Sequence, residues 1–564
     1  MRRLLLLIAI SCASASADYI RVPQGWDEAT REQVYHESEG SELMPLSWFM
    51  ALERPGDQTS FVQGLKSVGV LAGEGDLPIG FAAIGDDKTS RLYGEKRWVG
   101  INCATCHTSM IEINGQQVVI EGGANMFDLD QFQVNVAEAV DATLNSPDKF
   151  ARFQAQLKNP PGLKTNLQTL RDDLRGLVER NKYTVNGKRV RLGPEHMDGL
   201  GLPNNEAFCH FAPLGDLDLA RQIAAPGNCR DFPSVTGIPQ AWGTYNQEYT
   251  HFIGAIHSSI GRNVGQASGV YAKNWWERGA SGEPVLNSTA SFEGLQKIEN
   301  WYKLLRAPEW KDLAATGLVP QLDAAKVERG QKLFNSKNCI SCHAIQPEMT
   351  ARNIPLVGRE FWKITVSGLN EVGTDPARLN ADLGEKVTLP SILEAEFKNQ
   401  ASSPTVGPDN QVSASAYRAM YVTDIINKMF IDNGLSMIQK FKASSCRLPD
   451  RVQSKVGYKA RSLEGIVFTA PYLHNSSVPT LDDLFKPASQ RPQSFYVGCR
   501  KYDIQRAGYE CDANSGFLVD THLPGFSNQG HEFGTDMSPD ERADMIEFLK
   551  SLTNPTPPAL GICS

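Results

Sequence analysis

The chain has 564 residues, a net charge of −8 and a hydrophobic content of 41%. That length accommodates two or three domains, and the apolar share is that of an ordinary globular protein. The acidic balance gives no sign of a nucleic-acid partner and suits a basic redox partner.

The N-terminus reads MRRLLLLIAISCASASA. Arg2 and Arg3 precede an apolar run from Leu4 to Ile10, and Ala15-Ser16-Ala17 supplies a small-x-small cleavage site. This is the pattern of a secretory signal peptide over residues 1–17, with the mature chain starting at Asp18. The apolar run is too short to span a bilayer. A lipoprotein cysteine at Cys12 is the weaker alternative, because "AIS" departs from the usual small-residue context. No later segment is apolar enough to cross a membrane. The expected location is periplasmic or secreted.

Residues 101–110 read INCATCHTSM. Cys103 and Cys106 flank two small residues, and His107 follows directly. C-x-x-C-H is the attachment signature of c-type haem. Each thiol adds to one vinyl group on the same side of the porphyrin, and the next residue donates its imidazole to the iron as proximal ligand. Zinc would require two further ligands nearby, and a redox C-x-x-C does not require the adjacent histidine. After this motif, apolar spacing predicts a helix from about Asp130 to Leu144. A basic helical segment, Lys164–Lys182, follows among Gly- and Pro-rich loops that extend to residue 240.

The stretch YTHFIGAIHSSIGRNVGQASG carries His251 and His257, which are candidates for gating peroxide or oxygen as acid–base groups or ligands. Hydrogen-bonded structural histidines are the competing reading. Ala267 and Ser268 are small and leave room for a substrate. Trp242, Trp275 and Trp276 are candidate bridges between haems, although tryptophans in a chain of this size are usually core.

The second module opens with an amphipathic helix, Ala324 to Phe334, that runs into NCISCH. Cys339, Cys342 and His343 repeat the haem motif, so two covalently bound haem c groups, with their iron, are expected. Near the C-terminus, SPDERADMIEFLKSL predicts another helix. Ser538 is its N-cap, with Asp540 and Glu541 in the first turn, and Pro555 stops anything beyond Thr553. A helix entering C-x-x-C-H and a closing helix packed across it are the frame of a class I cytochrome c. Between them lies far more chain than that frame requires. The expected fold is mostly α with long loops. It consists of two class I cytochrome c-like haem domains with large insertions, over residues 18–318 and 319–564.

Of the histidines left after His107 and His343, His531 has the strongest case as an iron ligand. It lies in the loop before the closing helix, where small cytochromes carry their distal ligand. Gly530 and Gly534 let backbone approach a flat porphyrin. No histidine occurs between His107 and His196, position 123 is glycine, and Met110 is too close to His107 to swing over the ring. The first iron is therefore open or capped by a distant residue. Six cysteines remain outside the signal and the haem motifs. Their even number in an exported chain predicts three disulfides. Sequence proximity favours Cys209–Cys229 and Cys499–Cys511, which leaves Cys446–Cys563, one of several connectivities open to six cysteines.

The segment APYLHNSSVPTLDDLF resembles the A-P-Y-x-H-[DN]-G-S-x-x-T-L run of bacterial di-haem cytochrome c peroxidases. YKARSLEGIVFTAPYLHNSSVPTLDDLF, RPQSFYVGCRKYD, GFLVDTHLPGFSNQGHEFG, INCATCHTSMIEINGQQVVIEGG and GRNVGQASGVYA look closer still to the rubber-oxygenase branch of that superfamily. The resemblance runs from about residue 95 onward. It implies that His531 is the distal ligand of the second haem. It implies that His474 sits beside haem as a hydrogen-bond partner, for example to a propionate. It places the His251–His257 stretch near the active haem. Ser476 departs from the usual glycine.

The expected function is a di-haem oxidoreductase, peroxidase- or oxygenase-like. An open first haem would meet peroxide or oxygen, and a bis-histidine second haem would relay electrons. Its partners would be a small redox protein or small-molecule electron donor, and an apolar substrate for the oxygenase reaction. The alternative is a non-catalytic electron carrier with both irons six-coordinate.

Overall fold

The computed structural model describes residues 19–85, 92–229, 231, 234–399, 405–448 and 455–563. The expected signal peptide and Cys12 lie outside these residues.

Each haem motif is delivered by a different local device. The first follows a three-stranded antiparallel sheet in which Arg97–Ile101 lies between Met44–Pro45 and Phe81–Gly85. Asn102 ends the central strand and caps the short helix Cys103–His107 by accepting from the Ala104 N–H. Its side-chain amide donates to the carbonyls of Val34 and Glu37, so the cap is tied to the helix Glu28–His36. The chain then runs straight into strand Thr108–Ile113, which pairs with Gln116–Glu121 across an Asn114-Gly115 turn. Both turn residues have positive φ, 51° and 79°, as a two-residue hairpin turn demands. Ile20–Arg21 adds a third, parallel strand.

The helix expected near 130–144 runs over Leu129–Asn145, with the Asp128 side chain as its cap. The one expected at 164–182 runs over Leu163–Arg180 and buries Leu163, Leu167, Leu170 and Leu174 on one face. The i, i+4, i+7, i+11 spacing of those leucines makes the apolar stripe that packs on its neighbour.

The second motif follows helix Ala324–Ser336, which packs against the closing helix Pro539–Lys550. Gly330 lets the two axes approach: an added Cβ would lie 2.1 Å from the Asp544 carbonyl oxygen. Arg329 clasps the Asp544 carboxylate beside it at 2.6 and 2.8 Å. Ser538 forms a full capping box with Glu541. The long segment between these helices contributes helix Ala414–Asp432, against which helices Gly201–Cys209 and Ser259–Gly269 pack.

The expectation of a mostly α fold is corrected. The described chain is 41% helical and 15% strand, a mixed α/β fold with several small sheets. The strands are two to six residues long and sit in small two- and three-stranded sheets. So short an element shows little of the alternating pattern that marks a strand in sequence. The largest apolar core draws Ile111 and Trp242 together with Phe334 and Phe548. All three disulfides form as expected: Cys209–Cys229, Cys446–Cys563 and Cys499–Cys511.

Gly330→Leu should push the two cytochrome-like helices apart and lower stability by about 1–3 kcal/mol, read as a drop in the chemical denaturation midpoint. Gly176→Ala, inside helix Leu163–Arg180, should instead raise stability by up to about 1 kcal/mol. An unchanged midpoint for Gly330→Leu would contradict the close helix approach.

Candidate functional site

The second motif opens onto an apolar cavity of about 1310 Å³, counted with its mouth. Cys339, Cys342 and His343 line one side and His531 another. The two imidazoles face each other with ring centroids 6.1 Å apart. Two iron–imidazole bonds of about 2 Å, with each ring centre about 1 Å beyond its nitrogen, require about 6 Å. The spacing fits one iron between the rings. Two ligands on opposite walls suit a flat macrocycle that supplies the other four donors itself. The remaining lining is what a porphyrin face needs: Phe334, Leu463, Ile466, Leu481, Phe485, Met545 and Leu549.

The His343 imidazole is oriented by a backbone carbonyl, whereas His531 is placed through its main chain and its ring Nδ1 is buried with no hydrogen-bond partner among the described residues. His343 Nδ1 lies 2.7 Å from the Arg461 carbonyl oxygen, which leaves Nε2 for the iron. His531 has φ 50° and its N–H donates to the Val372 carbonyl at 2.7 Å. Gly530 before it has φ 83° and no room for a side chain: a Cβ would meet Thr374 N at 2.3 Å. Burial pushes the His531 imidazole down to about 3, assisted by His343 and Arg491, and burial lowers His343 too. Both rings are therefore neutral, as iron ligands must be.

The buried Arg491 holds the ligand loop. Its Nη1 donates to the carbonyls of Asn528 and Gly530, both at 2.7 Å, and its Nη2 reaches that of His531 at 3.3 Å. Sequence reading did not single out this residue, since one arginine in a loop carries no pattern.

His474 also lines the cavity. Its ring stacks on Tyr458 at 4.3 Å and meets Phe252 at 6.3 Å. Its Nδ1 lies 3.5 Å from Thr374 Oγ1, while its buried Nε2 has no protein partner. The neighbouring Ser476, which stands where the resembling family has glycine, adopts φ 50°. Its hydroxyl bonds the buried Glu195 carboxyl, which explains how a non-glycine residue is held there.

At the first motif, Cys103, Cys106 and His107 keep some accessible surface although protein surrounds them, as side chains lining a void do. Burial pushes the Cys106 thiol up to about 12 and Cys103 higher still. Cys103 Sγ donates to Glu39, 3.1 Å away, and burial holds that carboxyl up at about 7. Burial holds the His107 imidazole down at about 4, against the pull of the Pro239 carbonyl. Its Nδ1 is buried with no hydrogen bond of good geometry. Orphaned polar atoms gather here: Tyr302 Oη near the two cysteines, Tyr271 Oη near Cys106 and Arg262 Nη1 near His107. Among the described residues, no histidine ring packs against His107 as His531 does against His343. Met110 is fixed in its strand, where Arg500 Nη1 contacts its sulfur at 3.2 Å.

His251 and His257 belong to a loop that packs toward the second cavity. Phe252 lines that cavity and its carbonyl accepts from Lys459 N at 2.6 Å. His257 is buried between Tyr249 and Phe361, with Nδ1 2.6 Å from the Glu248 carbonyl oxygen. The fully buried Arg447 ties the loop down through the carbonyls of Tyr245, Gln247, Glu248 and His257.

Residues 457–496 match the family model described as RoxA-like, cytochrome c-like. That stretch is cytochrome c-like. It supplies Tyr458, Arg461, Leu463, Ile466, Tyr472, His474, Leu481 and Phe485 to the second cavity, and a domain of this kind binds haem c covalently. Two proteins of Sinorhizobium fredii are similar. The uncharacterized protein y4iJ is 28% identical over 94% of this chain and 92% of its own length. The uncharacterized protein y4iM is 35% identical over 57% of this chain and 65% of its own length. No described helix is long and apolar enough to cross a membrane.

His531→Ala should convert one low-spin haem to high spin without changing the covalent haem count, because attachment depends on Cys339 and Cys342. His474→Ala should leave that haem low-spin. The reverse pattern in electron paramagnetic resonance would exchange the two histidines' roles.

Proposed function

We propose that this protein is an exported di-haem c-type cytochrome oxidoreductase with two unlike haems. Cys339, Cys342, His343 and His531 hold the electron-transfer haem. Cys103, Cys106 and His107 hold the reaction centre. The observation that carries this reading is the asymmetry between the sites: a second imidazole faces His343 across 6.1 Å, and among the described residues none faces His107.

Haem supplies an iron that changes by one electron and, where one axial face is free, accepts oxygen or peroxide. The chain's own residues do the rest. Val372 and Arg491 hold His531 in place, where it would serve with His343 as a ligand of the second iron. Asn102 fixes the turn that presents Cys103, Cys106 and His107. Apolar packing keeps bulk water from both sites. The reaction class supported is reduction of peroxide by a small donor, or oxidative cleavage of an apolar substrate by oxygen; likeness of fold does not choose between them. An acid–base role at the first haem for His251 or His257 gains no support from the fold, because their loop packs toward the second cavity and the His257 ring is held by the Glu248 carbonyl. Three disulfides beside thioether-linked haem support an oxidising compartment such as the periplasm.

Cyanide or carbon monoxide should titrate one haem per chain. The haem retained when Cys339 and Cys342 are both replaced by Ser should be the one that responds. Turnover of peroxide with an artificial donor, or of oxygen with an unsaturated apolar substrate, should disappear with His107→Ala. Two haems that ignore every small ligand in both oxidation states would make the protein a plain electron carrier.

A further inference from the structure

The second cavity is apolar, but its charges are arranged in a specific way. Among the described residues that line it, only Lys459 and Arg461 carry a charge, and both are cations. They sit two residues apart, and both side chains reach the same cavity. Lys459 Nζ donates to the Gln247 side-chain oxygen and pairs with no described carboxylate. Arg461 Nη2 is buried without any acceptor.

The surroundings do not neutralise them. Lys459 faces Arg461, Arg262 and Glu464; Arg461 faces Glu195, Glu464 and Tyr472. Among the described residues neither carboxylate makes an ion pair or hydrogen bond with these cations: Glu195 accepts from the Ile238 N–H and Glu464 from the Ser462 hydroxyl. Two cations taken out of water with no counter-charge cost several kcal/mol each. A site arranged this way calls for a ligand that brings two anions.

We propose that Lys459 and Arg461 are the counter-charges for the two propionates of the haem held between His343 and His531. This rests on the reading of that cavity as a haem site. The stoichiometry is two carboxylates to two cations, with no competing acid in the lining. Burying the propionates without such partners would be as unfavourable as leaving the cations alone. Together they form paired, hydrogen-bonded charges, with the guanidinium able to take one carboxylate through two parallel donors. Neither cation touches the iron; they are binding and positioning residues.

The test uses the full chain with its haems. Lys459→Gln and Arg461→Gln should each disfavour reduction of the bis-histidine haem about tenfold, a fall of about 59 mV for one electron, because a positive charge is lost near an iron that gains an electron. Covalent haem content and the low-spin spectrum should stay as in the wild type, and Lys459→Arg should restore the potential. A potential unmoved in both Gln variants, with haem content intact, would overturn the assignment while leaving the haem reading standing. A wild type without haem on Cys339 and Cys342, by mass spectrometry, would instead remove the haem reading. A second measurement needs no variant. With haem labelled by carbon-13 at its propionate carboxyls, redox difference infrared spectra of the wild type should show only ionised carboxylate down to about pH 5. A labelled protonated-acid band above pH 6 would also overturn the assignment.

Discussion

Everything in the C-terminal half answers to one distance. The His343 and His531 imidazoles, far separated in sequence, stand with ring centroids 6.1 Å apart, the spacing that one iron held between them would require. The proximal ring is fixed early, by a motif at the end of helix Ala324–Ser336 and by the Arg461 carbonyl. The distal ring rides on a loop with no regular structure. Its position is set by three outside contacts: the Val372 carbonyl, the glycine approach at residue 530 and the Arg491 guanidinium. The closing helix then packs on Gly330, which draws the end of that loop back over the start of the module. A loop ligand held only by its own backbone would drift by more than an iron–nitrogen bond tolerates. The arginine removes that freedom by satisfying carbonyls that would otherwise need water.

The first motif solves a different problem. It lies between a sheet and a hairpin, and the Asn102 side chain satisfies both the helix start and the carbonyls of a neighbouring helix. A side chain that accepts from one element and donates to two carbonyls of another cannot rotate without losing several hydrogen bonds. The result is a rigid proximal side. Polar atoms left without partners accumulate around it, on Tyr271, Tyr302 and Arg262. Rigid support on one face and unsatisfied polar groups nearby are features of a site built for a guest rather than for packing.

Much of the chemistry was legible in the sequence because it rests on fixed spacing. The two C-x-x-C-H motifs, the helices near 130–144, 164–182 and 324–334, and the closing helix after Ser538 all follow from local periodicity and caps. Local proximity was enough to pair the cysteines. The fold class was misread because strands such as Met44–Pro45 or Tyr502–Asp503 are too short to alternate visibly. Lys459, Arg461, Arg491 and Arg447 were invisible for a different reason. A lone basic residue looks the same in sequence whether it points to water or into a cavity, and only the fold decides.

The wall between the two sites shows how the local devices connect. The Pro239 carbonyl faces the His107 imidazole, and three residues on, Trp242 is fully buried with its indole N–H donating to the Glu464 carbonyl at 3.0 Å. Glu464 lies three residues beyond Arg461, whose carbonyl holds His343. The segments behind His107 and His343 are therefore joined by the Trp242–Glu464 bond between buried partners and by a longer one from the Gln240 amide to the Ser462 carbonyl. Gly465 has φ 66° and lies so close that a Cβ would be 3.0 Å from the Trp242 ring, so the contact has no slack. The same segment supplies Lys459 and Arg461 to the second cavity. One short run of chain thus sets the orientation of a proximal ligand, the charge of a cavity and the fit of the tryptophan that separates it from the other site. A displacement at any of these must be felt at the others, because close-packed interiors transmit strain rather than absorb it.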